Sequence, residues 1–279
     1  MTESTRNYKS VISFESVDYS HPNGTIALRN ITFELMEGDL VAILGSNGAG
    51  KTTLVRHING LLKPSHGKVT VLGNDTRQVT AANLSKSVGI VFQNANNQLF
   101  AQSVRAEIEF ALTNFGFSPS VIQRRVDWAL NTFSLKEYEY SSPMELSGGE
   151  KKRRCIALVL AWEPDIVIFD EPTVGQDSEQ KEKLSQIISQ LILQKRTVIL
   201  VTHDIEFIWP LQPKVMLMSR GEIIAEGIAQ DILTNEKLTS DSSILPPQLV
   251  DFSKRMNFDR PFPIDAFEGE SKIRKMFAS

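Results

Sequence analysis

The chain has 279 residues, a net charge of −3 and 41% hydrophobic residues, with a pI of about 5.9. It is long enough for one large core or two small ones, and its charge gives no electrostatic footprint for nucleic acid. A single cysteine, Cys155, excludes an internal disulfide and fits a reducing compartment, no apolar run approaches membrane-spanning length, and the polar start Met1-Thr2-Glu3-Ser4-Thr5-Arg6-Asn7 does not read as a signal peptide.

Val11-Ile12-Ser13-Phe14-Glu15-Ser16-Val17-Asp18-Tyr19 alternates as a half-buried strand does, and His21-Pro22-Asn23-Gly24 reads as a turn. Ile31-Thr32-Phe33-Glu34-Leu35 predicts a second strand, and together the two make a small antiparallel platform where a flat ring would stack on a base. Leu40-Val41-Ala42-Ile43-Leu44 is a buried strand. Gly45-Ser46-Asn47-Gly48-Ala49-Gly50-Lys51-Thr52 follows in the form G-x-x-x-x-G-K-[ST], with helix-like Leu54-Val55-Arg56-His57-Ile58 behind it. The glycines let consecutive backbone N–H groups turn inward around an anion, and the helix points its positive end at the same place. Lys51 then reaches the β- and γ-phosphates and the Thr52 hydroxyl ligates Mg²⁺. The plainer reading, a Gly-rich turn before a lysine, is disfavoured by the strand and helix on either side.

Pro64-Ser65-His66-Gly67 breaks the chain before a short strand and turn at residues 68–75. Val88-Gly89-Ile90-Val91-Phe92 is another apolar strand, ending on Gln93, where ligands bind in open α/β sheets. Gln93 is either a solvated loop residue or a group that contacts Mg²⁺ or the attacking water. Val104, Ile108, Ala111 and Leu112 fall at helical spacing, and residues 121–133 give another amphipathic helix with Arg124 and Arg125 on its polar side. The strands stop here, so residues 94–152 read as a helical insertion in an α/β core. It ends at Leu146-Ser147-Gly148-Gly149-Glu150, ahead of a helix running through Trp162. Ser147 and Glu150 form a capping box. Capping alone does not need Gly148 and Gly149, whose bare N–H groups at a helix N-terminus make a second anion site. Two anion sites in one chain serve either one large ligand or two chains sharing ligands.

Ile166-Val167-Ile168-Phe169 is a buried strand that ends in Asp170-Glu171-Pro172. Two adjacent acids there are costly unless they hold a cation or do chemistry, and successive side chains leave a strand in opposite directions. Asp170 is therefore assigned to Mg²⁺, and Glu171 to orienting and deprotonating the water that attacks the γ-phosphate. Leu184, Ile187, Ile188, Leu191 and Ile192 give the next helix an apolar core stripe. Thr197-Val198-Ile199-Leu200-Val201 is a strand, and at its end, beside the acids, His203 would hydrogen-bond the γ-phosphate and the water. Residues 215–224 read as a closing hairpin. Beyond about Ser240, four prolines and the aperiodic Phe252, Phe258, Phe262 and Phe267 predict an extended appendage lying on another surface, including a partner's.

Taken together, residues 11–229 resemble the ATP-binding subunit of ABC transporters, with the family's motifs in order: phosphate loop, Gln93, the signature at residues 146–150, Asp170-Glu171, Asp177 and His203. The resemblance implies a RecA-like P-loop NTPase core with an antiparallel β subdomain and a helical subdomain at about 94–152, all within residues 1–238, and an extension over 239–279. It implies that Gly45, Ser46, Asn47, Gly48, Ala49, Gly50, Lys51, Thr52 and Thr53 bind ATP, and that Thr52, Gln93 and Asp170 serve Mg²⁺. It also implies a head-to-tail dimer in which Ser147, Gly148, Gly149 and Glu150 of one chain cap the γ-phosphate held by the other, with Asp177 in the dimer loop. Phe92-Gln93-Asn94-Ala95-Asn96-Asn97-Gln98-Leu99-Phe100 and Pro172-Thr173-Val174-Gly175-Gln176-Asp177 are similar to the energy-coupling factor importers of cobalt, nickel and vitamins. That group implies two ATPase subunits at the cytoplasmic face of the membrane, a transmembrane coupling protein docked on residues 93–107 and a small substrate-binding membrane protein. An exporter ATPase and a soluble ABC ATPase are the alternatives. His21 stands where the family stacks an aromatic on adenine, with Tyr19 as the other candidate; Gln176 replaces a usual leucine and Glu150 a usual glutamine.

Overall fold

In the computed structural model, which describes residues 9–93, 101–242 and 244–277, two sheets share one strand-dense core. The first is antiparallel, in the order β2-β1-β4-β5, from β1 (Ser10–Ser20), β2 (Ile26–Met36), β4 (His66–Val71) and β5 (Asn74–Asp75). The second runs β10-β9-β3-β8-β7-β6, built from β3 (Leu40–Leu44), β6 (Val88–Val91), β7 (Ile166–Asp170), β8 (Thr197–Val201), β9 (Lys214–Ser219) and β10 (Glu222–Ile228). Its pairings are parallel except for the β9–β10 hairpin.

The four central strands β3, β7, β8 and β9 are apolar between their end residues because both of their faces are covered. Alternation sends Ala42, Leu44, Val167, Phe169, Val198 and Leu200 to one side, against the helices. Val41, Ile43, Ile166, Ile168, Ile199 and Val201 go to the other, against the antiparallel sheet and α1 (Lys51–Ile58). A parallel sheet puts all its carboxyl ends on one edge. The chain leaves β3, β6, β7 and β8 there, and that edge carries the candidate site.

Between β6 and β7 the described chain is helical. After the four-residue α2 (Ala81–Leu84), ahead of β6, come α3 (Val104–Asn114), α4 (Pro119–Thr132) and α5 (Gly148–Leu160). Arg105 fastens this layer by bonding carboxylates on three segments, Glu109, Asp127 and Glu139. A fully buried ion pair joins Arg154 of α5 to Glu107 of α3. Helix α6 (Ser178–Leu193) then covers the sheet with Leu184 and Ile188.

The C-terminal segment departs from the expectation of an extended appendage. After α7 (Ile205–Ile208) and the closing hairpin come α8 (Ala229–Ile232) and α9 (Glu236–Asp241), and the chain beyond Ser240 then forms α10 (Gln248–Arg255) and α11 (Ala266–Phe277). It also packs on its own chain: Val250 and Phe262 join the main core, Trp209 Nε1 donates to Pro263 O at 2.9 Å, and the Gln230 amide binds both polar backbone atoms of Phe262. The reason is length. Helices of two or three turns separated by prolines show too few repeats for a 3.6-residue period to stand out in the sequence.

Candidate functional site

The phosphate loop leaves β3 at Gly45 and enters α1 at Lys51. Gly45, Gly48 and Gly50 have φ of 143°, 82° and 104°, conformations that side-chain-bearing residues rarely adopt. Two of them are also held close to other backbone. A Cβ on Gly45 would lie 2.2 Å from Met218 O, and one on Gly50 would lie 2.5 Å from Ala27 O. A Cβ on Gly48 would meet nothing within 4 Å beyond its chain neighbours, so this part of the loop faces open space. No side chain caps α1, which leaves its first N–H groups directed at the mouth of the loop. The β9–β10 turn braces the loop from behind through Gly221 N–H donating to Ala49 O at 3.0 Å.

Lys51 is 9% exposed and donates to Gly45 O at 2.7 Å and Ser46 O at 3.0 Å. Burial pulls its ammonium below the usual lysine range, against the opposing pull of Glu171 and Asp170. Asp170 and Glu171, 7% and 8% exposed, end β7 across from it. Burial and then the Glu171 charge push the Asp170 carboxyl upward. Two acids crowded into a dry strand end repel one another, and a cation there relieves both penalties.

Glu171 has a φ of 48°, a strained conformation for a residue with a side chain. Its N–H donates to Val201 O at 2.8 Å. The carboxylate lies 2.9 Å from His203 Nδ1 and accepts from Thr202 Oγ1 at 3.3 Å. An ionised carboxylate only accepts, so the proton of this contact sits on Nδ1 and Nε2 is left for other partners. The His203 side chain is 73% exposed.

These groups converge. A cleft of about 340 Å³ is lined by His21, residues 47–53, Gln93, Asp170 and Glu171, with Thr25, Ile26 and Ala27 on its rim. A wider opening continues from it past Gly45, Ser46, Gln93, Glu171 and His203 to Ile244, Leu245 and Pro246. Of the two rings considered for the base, Tyr19 is packed edge-on against His57, with centroids 4.8 Å apart, and against His21 at 5.2 Å. It serves as a platform residue, while His21 lines the cleft.

Ser147, Gly148, Gly149 and Glu150 do not line this cleft. They start α5 elsewhere on the surface, with the capping box formed: Ser147 N–H donates to Glu150 Oε2 at 2.7 Å, and Glu150 N–H to Ser147 Oγ at 3.4 Å. Ser147 and Gly148 are exposed, and nothing lies within 4 Å of a Cβ placed on Gly148. Asp177 is an exposed N-cap, accepting from Gln180 N–H at 2.8 Å. Cys155 is buried, and burial raises its thiol pKa, as suits an inert core residue. Residues 94–100, part of the stretch similar to importers, lie outside the described residues.

Sequence reasoning missed four contributing residues. Ile26 and Ala27 went unread because the second strand begins five residues earlier than its alternation suggests. Thr202 sits behind Glu171 just past the end of β8, and Lys152 lies in a run of basic residues with no apolar pattern to mark it as buried. The hydroxyl beside an acidic strand end was the one available signal.

Comparison with known proteins accords with this geometry. A family model described as ABC transporter matches residues 28–174. The energy-coupling factor transporter ATP-binding protein EcfA of Methanothermobacter thermautotrophicus is 38% identical over 248 residues, 88% of this chain and 80% of that one. EcfA of Methanococcus maripaludis is 37% identical over 241 residues, 86% and 87% of the two chains. Among solved structures, CbiO1 from Clostridium perfringens, part of the ABC transporter complex CbiONQ, aligns with a TM-score of 0.72 at 33% identity, over 89% of this chain and 99% of that one. A dimeric ATP-binding cassette in a post-hydrolysis state, bound to ADP and Pi, aligns with a TM-score of 0.70 at 28% identity, over 78% and 98%.

Proposed function

The chain belongs to the ABC transporter family as an ATP-binding subunit of the energy-coupling factor type, an ATPase coupled to transport, and we propose that it drives uptake of a vitamin or transition-metal ion. The observation that carries the catalytic part is the meeting of the phosphate loop, Asp170, Glu171 and His203 at one sheet edge.

In this reading the N–H groups of residues 45–53 cradle the ATP phosphates, Lys51 turns its ammonium from the loop carbonyls to the β- and γ-phosphates, and His21 stacks on adenine. Glu171 takes the proton of the attacking water. His203, held through Nδ1, presents Nε2 to that water, or donates to the γ-phosphate once protonated. The oxygen donors Thr52, Gln93 and Asp170 suit Mg²⁺, and the raised carboxyl of Asp170 marks a place where a cation is wanted. Bound there, Mg²⁺ would neutralise phosphate charge.

Residues 1–238 are read as the ATPase domain, with helical subdomain 94–152. The exposed N-terminus of α5 lies away from the chain's own phosphate loop, which supports a head-to-tail dimer with each ATP between one loop and the partner's signature. Asp177 would sit at that interface, and residues 239–279 would add to it. Among the described residues no helix is long and apolar enough to cross a membrane. The reading places the chain peripherally at the cytoplasmic face, with a transmembrane coupling protein and a small substrate-binding membrane protein as partners, and its likeness to EcfA and to CbiO1 of the CbiONQ complex supports it.

The test is to tag the chain, solubilise native membranes gently and identify what co-purifies. A coupling protein and a small membrane protein uphold the importer reading. A different transmembrane partner moves the chain to another transporter class, and recovery of soluble proteins alone overturns the transport proposal.

A further inference from the structure

Lys152 lies on α5, two residues past Glu150 of the capping box, and is 3% exposed. Its Nζ has four backbone carbonyls within reach: Phe92 O at 3.2 Å and Gln93 O at 3.5 Å, where the chain leaves β6, and Asp170 O at 3.4 Å and Glu171 O at 3.2 Å, where it leaves β7. An ammonium has three N–H donors, so four acceptors share them. A buried charge needs such a set of dipoles around it.

The placement matters because of what those carbonyls carry. Gln93 and Glu171 are the two cleft residues at the ends of β6 and β7. Glu171 is held at φ 48° with its N–H fixed by Val201 O and its C=O by Lys152. Its side chain is therefore aimed by a backbone pinned at both ends. Lys152 also sits five residues after Ser147, roughly 7–8 Å along the helix at 1.5 Å per residue. One rigid helix thus joins the exposed signature to the carbonyl of the candidate base.

We propose that Lys152 is a positioning residue for hydrolysis: its ammonium gathers the ends of β6 and β7 and ties the geometry of Gln93 and Glu171 to the position of the signature helix. This rests on Glu171 acting as the base. Lys152 touches no substrate. Its loss leaves the phosphate loop intact and misplaces the groups needed only as the bond to the γ-phosphate breaks.

The test uses the full chain with its co-purifying membrane partners. Lys152→Met keeps the stem and removes the charge. It is expected to lower kcat about tenfold or more with KM for Mg-ATP changed less than about twofold, the signature of an interaction made in the transition state, and Lys152→Arg should recover part of the loss. Wild-type kcat in Lys152→Met, or a parallel loss of kcat and Mg-ATP affinity that Lys152→Arg does not relieve, overturns the proposal. If the Met variant does not fold, Lys152→Gln is assayed instead: a reduced kcat at unchanged KM supports the proposal, and wild-type kcat overturns it. Glu171→Gln in the same assay separates the two ideas, because wild-type turnover there refutes the base assignment itself.

Discussion

Replacing Glu171 by glutamine isolates the proton-accepting role from the shape of the site. The amide has the outline of the carboxylate; its oxygen can keep the bond from His203 Nδ1, now at 2.9 Å, while its NH2 replaces the oxygen 3.3 Å from Thr202 Oγ1 and donates to that hydroxyl instead. The backbone anchors of residue 171 do not involve the side chain. What disappears is the ability to take a proton from water. General-base catalysis is worth about 10²–10⁴-fold, and at about 1.4 kcal/mol per decade this raises the barrier by roughly 3–5 kcal/mol. The assay is steady-state phosphate release, with ATP affinity and oligomeric state measured on the same sample. ATP affinity should stay within about threefold of wild type, a change of under about 1 kcal/mol, and the variant should accumulate as an ATP-bound dimer. Phosphate release within about tenfold of wild type would refute the reasoning, since a lost base cannot cost so little.

Three further predictions address the scaffold. Gly50→Ala would place its methyl 2.5 Å from Ala27 O at φ 104°, whereas Gly48→Ala at φ 82° meets nothing within 4 Å; backbone strain of about 1–3 kcal/mol applies to both, so thermal melts and nucleotide titrations should show the larger loss at Gly50, and equal losses would contradict the close approach of β2. Phe262→Ala should destabilise the protein by about 3–5 kcal/mol in urea unfolding, because Phe262 belongs to the main core; an unchanged midpoint would mean that the C-terminal segment does not pack there. The Ser147 backbone N–H, then its side chain and Tyr138, hold the Glu150 carboxyl below the ordinary range. A depressed folded-state pKa gives stability that is complete above the unfolded value and is lost as pH falls through the folded one. The wild-type advantage in melting temperature over Glu150→Gln should therefore shrink on acidification, and an advantage constant with pH would rule out the capping carboxylate as its source.

Most of the site was legible because its chemistry is local. The phosphate loop needs eight consecutive residues between a strand and a helix, and Asp170-Glu171 announce themselves by ending an apolar run. What stayed hidden depends on tertiary placement. Lys151-Lys152-Arg153-Arg154 is a run of four cations, yet Lys152 and Arg154 are buried, one on four carbonyls and the other on Glu107. The start of β2 was obscured by an interruption of its alternation at Arg29-Asn30, where Asn30 takes φ 45° and donates its N–H to Asp18 Oδ1. The fold of residues 244–277 hangs on contacts with Trp209 and Gln230, which no local pattern announces.

The strain at Glu171 gives these observations a common logic. A base on a relaxed strand end would be aimed by its own rotamers, free to rearrange with the solvent in an open cleft. At φ 48° the aim is set instead by peptide bonds fixed on β8 and on α5. The cost of that conformation, about 1–3 kcal/mol, is borne by the surrounding packing and makes the proposed base only as well placed as the helix that holds it. Because α5 begins at the exposed signature, any contact that draws Ser147 toward a neighbouring chain also acts on the Glu171 carbonyl. Hydrolysis would then follow pairing of the subunits, and an unpaired chain would bind ATP without spending it.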